Sequence, residues 1–187
     1  MPGCQYKQFR IMQGTKYADA YGKVLAFYRD LVALVRPVRF YDLGCWQGGI
    51  SALMADLGVP AVAVDVDVAP LLAGYPGVEF HRDDYMASAD KYLMMIADEA
   101  GPVIVLCDGG GGEEAKLAQA RRYAPGLRVG DVLLTHDFGE LAESGGTTPA
   151  HLYPMMKSLG YARLENDGYD PLLMGLSMHM RVRGANA

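Results

Sequence analysis

Hydrophobic positions along the chain follow two alternating periods. Compact apolar runs bounded by glycine, proline or acidic residues predict strands, and apolar residues at every third or fourth position predict amphipathic helices. The runs predict strands over residues 39–43, 61–66, 78–81, 103–107, 131–135, 161–165 and 176–182. The helical spacing predicts helices over 19–35, 49–57, 89–100, 113–123 and 151–159, with a short helical segment at 70–75.

Strands that alternate with helices form a parallel sheet with helices on both faces. The sequence therefore predicts an α/β fold: a Rossmann-like, doubly wound, mostly parallel sheet of about seven strands. No helix separates the last two predicted strands, which indicates an antiparallel strand at the sheet edge. We expect a single domain over residues 1–187, with an N-terminal arm and leading helix at 1–36 and the Rossmann-like core at 37–187.

Acidic residues stand where the predicted strands end. In open α/β sheets, ligands bind outside the carboxyl ends of the strands. An acidic rim there suits a cationic or hydroxyl-rich ligand rather than a pyrophosphate. The rim consists of Asp42, Asp65, Asp83 or Asp84, Asp108, and the pair His136 and Asp137.

The turn after the first predicted strand is rich in glycine and reads Gly-Cys-Trp-Gln-Gly-Gly over residues 44–49. It lacks the G-x-G-x-x-G spacing of a dinucleotide fingerprint. Gly44 would permit the tight turn, and Gly48 would let a ligand approach the backbone. Asp42 would face the positive part of the ligand, and Asp65 follows at about the spacing of 20 at which an acid reaches ribose hydroxyls. The plainer interpretation is that both acids only begin turns.

Asp42-Leu43-Gly44-x-x-x-Gly48 followed by Asp65 resembles motif I and the next acidic strand end of class I S-adenosylmethionine-dependent methyltransferases. The run from Cys107-Asp108 through Tyr-Ala-Pro at 123–125 and Val-Gly at 129–130 to Asp137 is similar to the cephalosporin hydroxylase / macrocin O-methyltransferase type. The resemblance covers roughly residues 28–138. It implies S-adenosyl-L-methionine as the cofactor, because a sulfonium and a ribose suit the acids.

The resemblance also implies a role for each cofactor-binding residue. Gly44, Gly48 and the neighbouring backbone would hold the methionine part, with Asp42 and Gln47 nearby. Asp65 would bind the ribose. The adenine would lie beside Asp83 or Asp84, and the sequence leaves open which of the two.

Members of this subgroup commonly bind magnesium through an acid after strand four and an acidic pair after strand five. Asp108 and Asp137 match those positions, but His136 stands where the family usually has Glu. Magnesium prefers oxygen ligands, whereas imidazole suits zinc, iron or nickel. The substitution therefore changes the metal, removes it, or frees His136 for another role.

That other role would be general base, since histidine titrates near neutral pH and can accept the proton of a hydroxyl nucleophile. A divalent metal held by Asp108, His136 and Asp137 could instead lower the pKa of that hydroxyl. A purely structural His136 would cap a loop or bond to Asp137. The catalytic candidates are thus His136 and Asp108.

The implied function is O-methylation of a small molecule, such as a sugar or natural-product hydroxyl. A net charge of −5 and no basic run longer than Arg121-Arg122 disfavour a nucleic-acid partner. The longest apolar helix contains Arg29 and Asp30, so we expect no membrane partner. No secretory signal and three cysteines at unrelated spacings favour a cytoplasmic protein.

Two matters remain open in the sequence. The substrate cleft could be completed by residues 1–17 or by a second subunit of a homo-oligomer. The main alternative function is an S-adenosylmethionine-binding module without transferase activity that acts through a partner. An NAD-type Rossmann enzyme is disfavoured by the glycine spacing.

Overall fold

A computed structural model describes residues 18–67, 72, 74–109, 113–136, 149–164 and 177–183. The helices in these ranges are α1 (Ala18–Val35), α2 (Gly49–Asp56), α3 (Ala89–Ala97), α4 (Glu113–Tyr123) and α5 (Pro149–Ser158). The strands are β1 (Arg39–Leu43), β2 (Ala61–Asp65), β3 (Val78–Arg82), β4 (Val103–Cys107), β5 (Val132–Thr135), β6 (Tyr161–Arg163) and β7 (Ser177–Arg181). The predicted arm at 1–17, Asp137 and residues 70, 71 and 73 of the 70–75 segment lie outside the described residues.

The seven strands form one sheet in the order β3-β2-β1-β4-β5-β7-β6. Strands β1 to β5 pair in parallel, and β7 runs antiparallel to both of its neighbours, β5 and β6. The predicted α/β fold is confirmed, including antiparallel pairing at this end of the sheet. The antiparallel strand lies one position in from the edge, because β6 forms the edge itself.

Helices cover both faces of the sheet. Alternate strand residues point to opposite faces, so Tyr41 and Val105 pack under α3, α4 and α5 on one side. Phe40 and Ile104 pack against α1 and α2 on the other side. All five residues of β4 are buried, as expected for a central strand covered on both faces.

Helix α3 ends earlier than the apolar spacing predicts, at Ala97. The Arg128 guanidinium donates hydrogen bonds to the carbonyls of Ala97, Glu99 and Gly101, which satisfies the end of the helix in place of a further turn. The Asp131 carboxylate in turn accepts the backbone N–H groups of Arg128 and Val103. These bonds fix the amino-terminal ends of β4 and β5.

The strand order reverses at β1, which has β2 on one side and β4 on the other. Ligands of doubly wound sheets bind at the carboxyl ends of the strands beside such a switch point. The fold therefore predicts a ligand site at the loops after β1, β2 and β4. None of the helices in the described part of the chain is both long and apolar enough to cross a membrane.

Candidate functional site

The turn after β1 passes directly against the loop after β4. Gly44 has a φ of +91°, and a Cβ atom there would lie 2.5 Å from the Gly109 Cα and 3.1 Å from the Asp108 carbonyl carbon. No side chain fits at that distance, and the left-handed backbone independently favours glycine. The two loops therefore meet backbone to backbone at the switch point.

Gly48 closes the same turn and begins α2, with a φ of +78°. A Cβ atom there would lie 2.6 Å from Leu72 Cδ2. Between the two glycines, Trp46 also has a positive φ of +47°, and its side chain is 57% exposed. The turn thus holds a backbone shape that depends on glycine at both of its ends.

Asp65 at the end of β2 ties this turn in place. Its Oδ2 accepts the backbone N–H of Trp46 at 2.7 Å, and its Oδ1 accepts the N–H of Asp67 at 3.0 Å. An ionised carboxylate has about four lone-pair sites, so each oxygen can accept a second hydrogen bond. Asp65 therefore shapes the turn and still has acceptor capacity for a ligand.

A cavity of about 410 Å³ opens beside Asp65. That volume falls within the usual range for small-molecule sites, roughly 300–1,000 Å³. Its wall comes from the ends of β1 to β4 and from one face of α4. The lining residues are Gly44, Asp65, Val66, Asp84, Tyr85, Met86, Gly109, Ala115, Ala118 and Gln119.

The two adjacent acids after β3 have different surroundings. The Asp83 carboxylate accepts hydrogen bonds from Ser88, Lys91 and Tyr92. These bonds, that from Lys91 most of all, lower the pKa of Asp83 to about 2. Asp84 lies on the cavity wall, and its Oδ1 accepts the N–H groups of Met86 and Ala87. Of the pair, Asp84 is the one that faces the cavity.

Asp42 lies beneath the turn rather than on the cavity wall. It is only 2% exposed, and its Oδ2 accepts the Ser51 hydroxyl of α2 at 2.5 Å. Burial raises the pKa of Asp42 to about 7, although the Ser51 hydrogen bond acts in the opposite direction. Its observed contact is with the helix that follows the turn. Gln47 is half-buried and is not among the described residues that line the cavity.

His136 and Asp108 meet at the ends of the neighbouring strands β5 and β4. The His136 Nδ1 lies 2.6 Å from Asp108 Oδ1, and the His136 backbone N–H donates to the Cys107 carbonyl at 3.1 Å. The His136 side chain is 39% exposed and that of Asp108 is 27% exposed. A carboxylate that accepts Nδ1–H fixes the tautomer of a neutral imidazole, whose proton acceptor is then Nε2.

A buried lysine lies behind this pair. The Lys116 side chain of α4 is 0% exposed, and its Nζ donates to the backbone carbonyl of Asp108 at 3.2 Å. The same Nζ lies 3.9 Å from Asp108 Oδ1, the oxygen that contacts His136. Asp108 therefore stands between an imidazole and a buried ammonium group.

The described residues do not fit a magnesium ion at Asp108. Magnesium requires a near-octahedral set of oxygen ligands, whereas Asp108 Oδ1 faces one imidazole nitrogen and one ammonium nitrogen. In the part of the chain that the structure describes, no three His, Cys, Asp or Glu side chains are grouped to hold a metal. The third predicted ligand, Asp137, lies outside that part.

Ser51, Tyr85, Lys116 and Gln119 are among the residues of the site that escape sequence reasoning. Ser51 closely follows the glycine turn, and Tyr85 closely follows the Asp83-Asp84 pair. Their proximity to these motifs is a signal from which the sequence could identify them as site residues. Gln119 shares a helix face with Ala115, and its amide donates to the Gly109 carbonyl. Lys116 gave no signal, because a lysine in a polar helix is expected to be exposed.

No family model matches the sequence, and no curated protein matches it. Solved structures do match the fold. The putative caffeoyl-CoA O-methyltransferase from Staphylococcus aureus superposes with a TM-score of 0.60 at 12% identity, over 94% of this chain and 96% of that one. An rRNA methylase from Streptococcus thermophilus gives 0.54 at 17% identity, over 85% and 97%.

A third similar structure is the MycE methyltransferase of the mycinamycin biosynthetic pathway, in complex with Mg and SAH. Its TM-score is 0.57 at 15% identity, over 98% of this chain and 55% of that protein, so this chain spans about half of its length. At such identities the likeness concerns the fold. The chain has the fold of the class I S-adenosylmethionine-dependent methyltransferases, as the motif I resemblance implies.

Proposed function

We propose that this protein is an S-adenosylmethionine-dependent methyltransferase that acts on an oxygen atom of a small molecule. The observation that carries the proposal is the cavity of about 410 Å³ at the switch point, bounded by the Gly44 turn and by Asp65. A positive-φ glycine that no side chain could replace lies beside a carboxylate with spare acceptor capacity. This combination suits a ligand with a cationic centre and ribose hydroxyls.

The resemblance, together with the positions of the residues, supports a role for each cofactor residue. The backbone around Gly44 and Gly48 would hold the methionine part, and Asp65 would accept the ribose hydroxyls. Asp84 would contact the adenine, because it lines the cavity while Asp83 is engaged by Lys91 and its neighbours. Asp42 would act indirectly, by fixing the start of α2 through Ser51, and Gln47 would lie near the methionine part.

In the proposed reaction, His136 is the general base and Asp108 orients it. S-adenosylmethionine supplies a methyl group on a sulfonium sulfur. When bound, it would transfer that methyl group to the acceptor oxygen, and the electron pair of the broken S–C bond would remain on sulfur. His136 Nε2 takes the hydroxyl proton, and Asp108 stabilises the resulting imidazolium through Nδ1–H. The products are a methyl ether and S-adenosylhomocysteine.

A small acceptor fits the charge of the chain better than RNA does. Some similar structures are rRNA methylases, but this chain carries a net charge of −5. Binding to a phosphate backbone relies on clustered Lys and Arg. Other similar structures are a mycinamycin-pathway methyltransferase and a didemethyltoxoflavin N1-methyltransferase with its small-molecule ligand bound.

The first test is calorimetry of the full chain with S-adenosylmethionine, S-adenosylhomocysteine and NADH. The proposal expects both sulfur compounds to bind and NADH not to bind; NADH binding alone would overturn it. The second test follows S-adenosylhomocysteine formation over a panel of sugar, phenol and macrolide hydroxyls. Cofactor binding with no turnover on any acceptor would favour the alternative, a binding module that acts through a partner.

A further inference from the structure

Lys116 places a positive charge beside Asp108. Lys116 Nζ lies 3.9 Å from Asp108 Oδ1, and it donates to the Asp108 carbonyl at 3.2 Å. The lysine side chain is fully buried, so water screens its charge far less than it would at the surface. A fully buried Lys116 does not contact an acceptor, so it acts on the reaction through neighbouring residues, Asp108 among them.

A divalent ion on Asp108 would lie close to this ammonium. Magnesium binds carboxylate oxygen at about 2.1 Å, so an ion on Oδ1 would lie no more than about 6 Å from Lys116 Nζ. Two positive groups at that separation repel strongly when one of them is buried. An ion on Oδ1 would also compete with the His136 Nδ1 contact on the same oxygen.

We infer that Lys116 takes the electrostatic place of the divalent metal in this site, so that Asp108 binds the His136 imidazole instead of a metal ion. The inference deepens the proposed function and rests on it for the catalytic meaning of the site. The part of the inference that concerns metal affinity does not depend on the proposed function. It also accounts for histidine at position 136, where the subgroup that the sequence resembles usually has an acid.

The test measures Mn²⁺ binding to the full chain by electron paramagnetic resonance of free Mn²⁺, with and without S-adenosylhomocysteine. The variants are Lys116→Gln, which keeps an N–H donor for the Asp108 carbonyl but removes the charge, and Lys157→Met, which removes an exposed lysine of α5. For wild type and Lys157→Met, the dissociation constant of Mn²⁺ should be no lower than about 1 mM. Lys116→Gln should bind it at least about tenfold more tightly than wild type, and Asp108→Asn should abolish that gain.

Two results would overturn the inference. One is a dissociation constant for Mn²⁺ well below 1 mM in the wild type, with that binding lost in Asp108→Asn. This result can be obtained even if no Lys116 variant folds. The other is no gain of Mn²⁺ binding in a folded Lys116→Gln or Lys116→Met protein. Calorimetry with S-adenosylmethionine on the same samples reports separately on the proposed function, so either idea can fail while the other stands.

Discussion

The Nδ1 atom of His136 lies 2.6 Å from Oδ1 of Asp108, and the two residues follow the adjacent parallel strands β5 and β4. This contact orients the imidazole in a manner suited to a general base, because a carboxylate that holds Nδ1–H makes Nε2 the basic nitrogen of the neutral ring. It also links two positions that lie far apart in the sequence.

Replacing His136 with Gln should reduce methyl transfer by about 10² to 10⁴-fold, the usual contribution of a general base. The affinity for S-adenosylmethionine should change little, because His136 does not line the cavity. Turnover at saturating cofactor and calorimetric affinity, measured side by side, check this. His81→Gln, a change within β3 at a residue paired with Glu79, is the matched control. Full activity of His136→Gln would rule out the base.

Asp65→Asn should weaken S-adenosylmethionine binding at least about tenfold, since hydrogen bonds to charged groups contribute about 1.5–3 kcal/mol. Asp67 is a close control, because it is exposed and contacts Asp65 through its backbone N–H. Asp67→Asn should therefore bind the cofactor normally. If calorimetry gives equal cofactor affinities for the two variants, the proposed contact between Asp65 and the ribose is wrong.

Gly44→Ala and Gly58→Ala separate backbone strain from crowding. Both glycines have positive φ, +91° and +85°, but a Cβ at Gly58 has open space whereas one at Gly44 overlaps Gly109. Gly58→Ala should lower the free energy of unfolding by about 1–2 kcal/mol, because alanine is strained in the left-handed conformation. Gly44→Ala should cost more and should abolish cofactor binding. Urea unfolding and calorimetry check both, and equal losses would contradict the close approach.

His179 should make the protein less stable as the pH falls. Its side chain is 2% exposed, and both ring nitrogens lack a hydrogen-bond partner among the described residues. Burial lowers its pKa to about 4 from 6.5. Between those values the unfolded chain binds a proton that the folded chain does not, so stability is lost as pH falls, by about 3 kcal/mol in full.

The variant His179→Phe isolates this effect, since Asp42, with its raised pKa, shifts stability in the opposite direction over much of the same range. Phe keeps a ring against Tyr153 but cannot be protonated. The difference in unfolding free energy between the variant and wild type should grow as the pH falls from 6.5 to about 4. Parallel curves would show that His179 does not titrate as proposed, and His151→Gln controls for loss of an exposed histidine.

The sheet could be predicted because its signals are local. Continuous apolar residues over Val103–Cys107 identify a central strand, and acids at strand ends identify the ligand edge, whatever the rest of the chain does. The resemblance of the 42–48 turn to motif I likewise pointed to the fold that the structure has.

Much of the site depends on contacts that no local pattern encodes. The sequence predicts that Asp42 faces the ligand, whereas the contact in the structure is a hydrogen bond from the Ser51 hydroxyl of α2 to the Asp42 carboxylate. Lys116 is buried with its Nζ on the Asp108 carbonyl just after β4, a position that the polar composition of α4 conceals. The choice between Asp83 and Asp84 likewise depends on the side chains of α3, because Ser88, Lys91 and Tyr92 engage only the first of the two.

The contact between Gly44 and Gly109 has a further consequence. With no side chain between the two loops to absorb a displacement, a movement of the β1 turn is also a movement of the loop that begins at Asp108. Occupancy of the cofactor cavity should then change the affinity for the methyl acceptor, and linkage requires the acceptor to change the cofactor affinity by the same factor. Acceptor titrations with and without S-adenosylhomocysteine would measure that factor, and a value of one would mean that the two loops respond independently.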